Sequence, residues 1–366
     1  MIFTVDGSYK EDLKEYNEQI LEKYGVSSSS AEREIMCLAE NGNTVACKLF
    51  ADLIFYKKVL RKNFYRDAFD LYLKSAGMSV NEFGWSCSGV SYPLSFWMIG
   101  YYLVNYKRES ALSKCETIDI IEEMSLEERF TIALKLAVST VDNVVVAGAI
   151  NLIGRILFEV SEDDGLFERL KYMVRQTVCE HDFSEIGIEV SPIKTQEDCG
   201  LLADKFFVKA AEEGYVYACN NLAVREAEKI INILTADGDT SEAKQNAYEK
   251  NKDAVDGAVL DYICFLKIAA DRLEPYAANR LGLFYRTGEI KTADGSFIFR
   301  DYIDHNEAKV YFKKATVCPD ENSGWAFLNL IRYYYQDYSN NIELMNEHMD
   351  YIKTLNPKAY DIAIEL

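Results

Sequence analysis

Three histidines, nine cysteines and 59 Asp and Glu residues are the side chains in this sequence best suited to nucleophilic, metal-assisted or acid–base chemistry. Their spacing assembles little. Cys179-Glu180-His181 brings two metal-type ligands close together, but a structural zinc site needs a second ligand pair at matching spacing, and none follows. His305 and His348 are remote from it in sequence. A Cys–His nucleophile depends on spatial adjacency, which spacing alone does not supply. The carboxylates are so many that any two could be paired, and a solvated helix face explains them better. Gly84 and Gly89 flank Trp-Ser-Cys-Ser without the Gly-Lys-Ser/Thr of a phosphate loop. The expectation is a protein with no catalytic residues, no metal and no cofactor.

The charge balance points the same way. In 366 residues, 40 Lys and Arg face 59 Asp and Glu, for a net charge of −19. Nucleic-acid affinity comes largely from cations that neutralise phosphates, so a nucleic-acid partner is not expected. An anionic membrane surface is disfavoured on the same ground. An apolar fraction of 49% excludes a disordered chain. The longest apolar run, residues 144–158, carries Arg155. It is shorter than the roughly 20 residues that span a bilayer, and reads as a buried helix. The first residues lack a basic stretch leading into an apolar one, so no secretory leader is expected. No two cysteines form a C-x-x-C pair, which suggests reduced thiols and a cytoplasmic setting.

The elements that would position these groups are helical, because five prolines leave long stretches unbroken. Two helical templates alternate. Helix A places small residues five apart, with a large apolar residue just before the second. It occurs as Ala46/Phe50/Ala51, Ser95/Ile99/Gly100, Ala149/Ile153/Gly154, Ala218/Leu222/Ala223, Ala277/Leu281/Gly282 and, degraded, Ala326/Leu330/Ile331. Helix B is a stripe at i, i+4, i+7, which forms one apolar seam. Its copies are Ala31/Ile35/Leu38, Ala68/Tyr72/Ser75, Phe130/Leu134/Ala137, Ala203/Phe207/Ala210, Tyr262/Leu266/Ala269 and Ala308/Phe312/Ala315. Connections from B to A are mostly short, with template positions eight apart in three units, while those from A to B vary widely. That asymmetry predicts a solenoid with insertions on one edge. Gly42 and Gly214 are expected to end B helices in left-handed caps. The one strand-like stretch, Gly288 to Tyr302, predicts a short β-hairpin near 289–302 that turns at Asp294-Gly295.

These residues resemble Sel1-like repeats, relatives of the tetratricopeptide repeat. Ala277 to Gly288 is similar to the family's first helix, with Leu281-Gly282 and Tyr285 in place. Glu307 to Ala315, Ala203 to Gly214 and Asn63 to Gly77 are similar to its second helix. The resemblance covers about residues 31–335 and departs from the family in its insertions at 78–93, 181–198, 235–256 and 288–304. It implies an all-α solenoid of about six divergent helix pairs. The segments would be 1–44 (an N-terminal cap, around 8–24, and half-repeat), 45–160 (repeats), 161–200 (an insertion), 201–335 (repeats) and 336–366 (C-terminal capping helices). It also implies an adaptor or scaffold that holds a protein or peptide segment in a concave groove lined by the first helices. By analogy, the groove positions are Lys48, Trp97, Asn151, Asn220, Asn279 and Leu328, with Tyr101 and Arg155 beside them. Asparagines there would bond the amides of an extended peptide, donating and accepting at once. Two other readings stand against this one. The first is an acidic inhibitor or immunity-type protein that masks a basic enzyme or toxin. The second is a hydrolase or metal enzyme built on the insertion loops.

Overall fold

The structure, a computed structural model, describes residues 31–55, 64–81, 84–87, 92–113, 118–143, 145–317, 323–335 and 338–365. The expected N-terminal cap around 8–24 lies outside them. The described chain is mostly α-helical, with two separate two-stranded antiparallel hairpins. It divides into two compact units, one closing at Gly214 and the other running from Tyr215 onward.

The first unit contains α1 (Ala31–Glu40), α2 (Thr44–Phe55), α3 (Phe64–Ser75), α4 (Phe96–Ser113), α5 (Asp119–Glu122), α6 (Leu126–Asn143), α7 (Ala147–Ser161), α8 (Asp164–Val174) and α9 (Gln196–Glu212). Helices α1 to α4, α6, α7 and α9 each pack on the next in that order, and α4 also touches α7. The second unit contains α10 (Val216–Thr235), α11 (Ser241–Lys250), α12 (Lys252–Asp271), α13 (Pro275–Thr287), α14 (His305–Ala315), α15 (Ser323–Tyr334), α16 (Tyr338–Leu355) and α17 (Pro357–Ala363). Helices α10, α12, α13, α14 and α15 again pack in chain order, with second-neighbour contacts α12 to α14 and α13 to α15. Helices α16 and α17 close onto α15 around Phe327, Ile331, Met345 and Ile352.

Each of the twelve template segments falls on a helix. Apart from Ala31, whose side chain is not described, and half-buried Leu38, every template residue is buried. Even its polar members are satisfied: Ser95 Oγ donates to Ser75 Oγ at 2.7 Å, and Ser75 Oγ donates to the Thr44 carbonyl at 2.6 Å. The second small residue of helix A lies against the backbone of the following helix B. A Cβ on Gly154 would sit 2.8 Å from the Phe207 ring and 3.2 Å from the Ala203 carbonyl. On Gly282 it would sit 2.7 Å from Phe312 and 3.2 Å from the Ala308 carbonyl. Gly100 meets the Ala133 carbonyl at 3.1 Å. That last contact corrects the expected stripe on α6. By position, the equivalents of Ala203/Phe207/Ala210 are Ala133/Ala137/Thr140, not Phe130/Leu134/Ala137. A second apolar stripe three residues out of step hides the true register in the sequence.

Local signals set the helix ends. Ser125 and Glu128 form a reciprocal capping box at the start of α6, as do Thr195 and Asp198 at α9. Gly42 and Gly214 have φ of +83° and +88°, the left-handed caps expected of them. The hairpin near 289–302 is present, with Glu289 opposite Ile298 and Lys291 opposite Ser296. Its turn takes Thr292 to Gly295, wider than a tight Asp294-Gly295 turn. The expected insertions carry regular structure and buried side chains. Residues 78–81 pair antiparallel with residues 84–87, with Met78 opposite Cys87. Residues 235–256, expected as an insertion, contain α11, capped by Thr240, and the start of α12. A short polar helix gives little apolar periodicity to read. The expected insertion at 181–198 buries Phe183, Ile186, Ile188 and Ile193. Among the described residues, no helix is long and apolar enough to cross a membrane.

Candidate functional site

The expected groove residues do not form one open row. Lys48, Trp97, Asn151, Asn220 and Leu328 are buried, while Tyr101, Arg155 and Asn279 are partly exposed. Burial of the first group follows from their neighbours. Lys48 pairs with Asp52 one turn along α2, and Asp52 also accepts from the Tyr72 hydroxyl at 2.8 Å. The Trp97 ring packs against Gly148 of α7, where an added Cβ would lie 2.9 Å from it. Asn220 Nδ2 donates to Glu274 Oε2 at 3.0 Å. Glu274 in turn accepts from the amides of Tyr276 and Ala277 and caps α13. Asn279 Oδ1 accepts from Asn329 Nδ2 at 3.1 Å, and Asn329 Oδ1 accepts from Arg286 Nη1 at 2.6 Å. Asn220 and Asn279 thus tie neighbouring first helices together. A polar side chain at a helix–helix contact must find a protein partner once water is excluded, and these partners are remote in sequence.

Arg155 leads to a cavity of the first unit. This 730 Å³ pocket is walled by α4, α5, α6, α7 and α8. Arg155 Nη1 donates to Asn105 Oδ1 at 2.8 Å, and Asn105 Nδ2 holds the Tyr101 carbonyl at 2.8 Å. A second guanidinium, that of Arg129 on α6, shares the pocket. Arg129 is only 7% exposed, and its Nε is buried without a hydrogen-bond partner among the described residues. Its guanidinium makes no ion pair among the described residues, and burial holds its pKa below the usual arginine range. The sequence reading missed Arg129 because the apparent stripe began at Phe130. In the corrected register Arg129 sits four residues before Ala133, on the seam itself.

No protein-family model and no curated protein sequence matches this chain.

Two other cavities lie among the described residues. One, of 520 Å³, is lined by Cys179, His181, Phe183 and Ile188. Its cysteine and histidine engage different partners: His181 Nε2 lies 2.5 Å from Asp142 Oδ1, and Cys179 Sγ lies 3.8 Å from the Ser191 carbonyl. Nearby Cys199 is held as a thiol, its pKa pushed up to about 12 by burial. Among the described residues, no three His, Cys, Asp or Glu side chains converge as a metal site would require. The other cavity, of 660 Å³, lies between α11 and the 289–298 hairpin and is lined by Tyr248, Phe297, Phe299 and Tyr302. The Tyr248 hydroxyl donates to Asp256 at 2.9 Å, and its pKa rises to about 12 through burial and that carboxylate.

Proposed function

We propose that this chain is a Sel1-like, tetratricopeptide-like α-solenoid that serves as a scaffold for a protein or peptide segment and carries no catalysis of its own. The observation behind this reading is the recurrence of one crossing. Gly100, Gly154 and Gly282 each lie against an alanine carbonyl of the next B-type helix. Within each unit the long helices lean on first and second neighbours in chain order. Repeats that rest only on adjacent repeats leave extended surfaces, which such proteins use for binding. Tyr101 and Arg155 in the first unit, and Asn279 in the second, are the expected contact residues that retain exposure.

The test is affinity capture with the full chain and with a Tyr101→Ala/Asn279→Ala variant, followed by identification of the retained proteins. Far-ultraviolet circular dichroism monitors folding. The expected result is a protein retained by the wild type and lost by the variant at unchanged helicity. Identical retention by both, or nothing above a bare-resin control, contradicts the reading.

A further inference from the structure

We propose that the α4–α8 pocket is a binding site for a single carboxylate on an apolar body, with Arg129 as the cation that receives it. The inference stands on this pocket and does not require the scaffold reading.

The first argument is Arg129 itself. A guanidinium has five N–H donors and remains charged inside proteins. Burying such a charge without a counter-ion is costly, and folded proteins pair or hydrogen-bond buried charges. Arg129 is more than nine-tenths buried, its Nε has no partner, and its guanidinium forms no ion pair among the described residues. It faces a cavity of 730 Å³, within the size range of small-ligand sites. An anion in that cavity would supply what the fold does not.

The second argument is the composition of the walls, which selects the anion. Arg155 adds a second guanidinium, steadied by Asn105 and drawn toward Glu159, 4.0 Å away. Glu122, Glu159, Glu162 and Asp163 also line the cavity. Those carboxylates repel a doubly charged phosphate more strongly than a single negative charge. A planar monoanion fits the guanidinium fork through two parallel hydrogen bonds. The remaining lining includes Val104, Ile121, Met124, Leu126, Phe130 and Leu166. Such walls favour an aliphatic or aromatic body behind the charge. Two sources share this chemistry: a free apolar carboxylic acid, and the C-terminal carboxylate of a peptide ending in an apolar residue.

The experiment is thermal unfolding of the full chain with N-acetylphenylalanine, its amide, and a short leucine-terminated peptide with a free or amidated C-terminus. Each free carboxylate is expected to raise the midpoint by about 3–4 °C at a hundred-fold excess over its Kd, while the amides leave it unchanged. Arg129→Met is expected to abolish the response and leave the ligand-free midpoint equal to or above that of the wild type. Arg129→Lys is expected to weaken binding at least about tenfold, because the planar fork is lost. A tighter Kd for the peptide identifies a chain terminus as the source, and a tighter Kd for the acetyl amino acid identifies a free acid. Equal shifts from acids and amides, no shift from any acid, or a full response in Arg129→Met overturns the proposal. If Arg129→Met does not fold, Arg129 is a structural residue and the proposal is likewise overturned.

Discussion

Asn220 on α10 and Glu274 at the start of α13 are 54 residues apart in sequence and share a hydrogen bond of 3.0 Å. The carboxylate does two things at once: it receives the Asn220 amide, and it caps α13 through the backbone amides of Tyr276 and Ala277. Hydrogen bonds to a charged acceptor contribute more than neutral ones, about 1.5–3 kcal/mol. Asn220→Ala is therefore expected to cost that much in urea unfolding. Asn220→Asp sets two carboxylates against each other and is expected to cost more at neutral pH. That extra cost should shrink as pH falls through the carboxylate range, because protonation removes the repulsion. A pH-independent penalty would show that packing, rather than charge, links these residues.

The recurring glycine crossing makes a paired prediction. Gly282→Ala drives a methyl into Phe312 and toward the Ala308 carbonyl, and overpacking of this kind costs about 1–3 kcal/mol. Gly257, within α12, has no atom within 4 Å of an added Cβ. Gly257→Ala is therefore expected to stabilise the chain by about 0.5–1 kcal/mol through helix propensity. Denaturant midpoints of the two variants should move in opposite directions.

Leu273 is the non-glycine residue with positive φ among the described residues, at +62°. It stands four residues after Ala269, as Gly214 stands four after Ala210, so a leucine occupies the repeat's left-handed cap. That conformation costs an L-residue about 1–2 kcal/mol. Glycine's greater freedom in the unfolded chain returns about half of this. Leu273→Gly is expected to raise stability by up to about 1 kcal/mol in thermal or chemical unfolding.

His348 on α16 packs on Phe327, with ring centroids 4.9 Å apart, and burial pulls its pKa below the ordinary value of 6.5, opposed by the nearby charge of Glu347. Above that ordinary value both folded and unfolded chains hold the ring neutral, and stability is unaffected. As pH falls through 6.5 the unfolded chain takes up a proton first, so stability declines until the lowered folded value is reached. His348→Gln is expected to flatten this part of the stability profile. An unchanged slope between about pH 7.5 and 5.5 would dissociate the histidine from the acid response.

The helices were legible from the chain alone because a seam needs only the intrinsic turn of the helix to declare itself. Ala203/Phe207/Ala210 and Ala308/Phe312/Ala315 mark buried faces wherever they occur, and Gly42 and Gly214 mark helix ends for the steric reason that makes left-handed backbone easy for glycine. Register was another matter. On α6 two apolar stripes compete, and only the approach of Gly100 to Ala133 selects between them. The polar residues divided in the same way. Asn220 and Arg129 look alike in the sequence, each a polar residue with one polar and one apolar neighbour. Tertiary packing gave Asn220 a carboxylate and left the Arg129 guanidinium facing a cavity. Periodicity is a property of one helix, and so is written in its own residues. A hydrogen-bond partner comes from another helix at a distance that only packing sets.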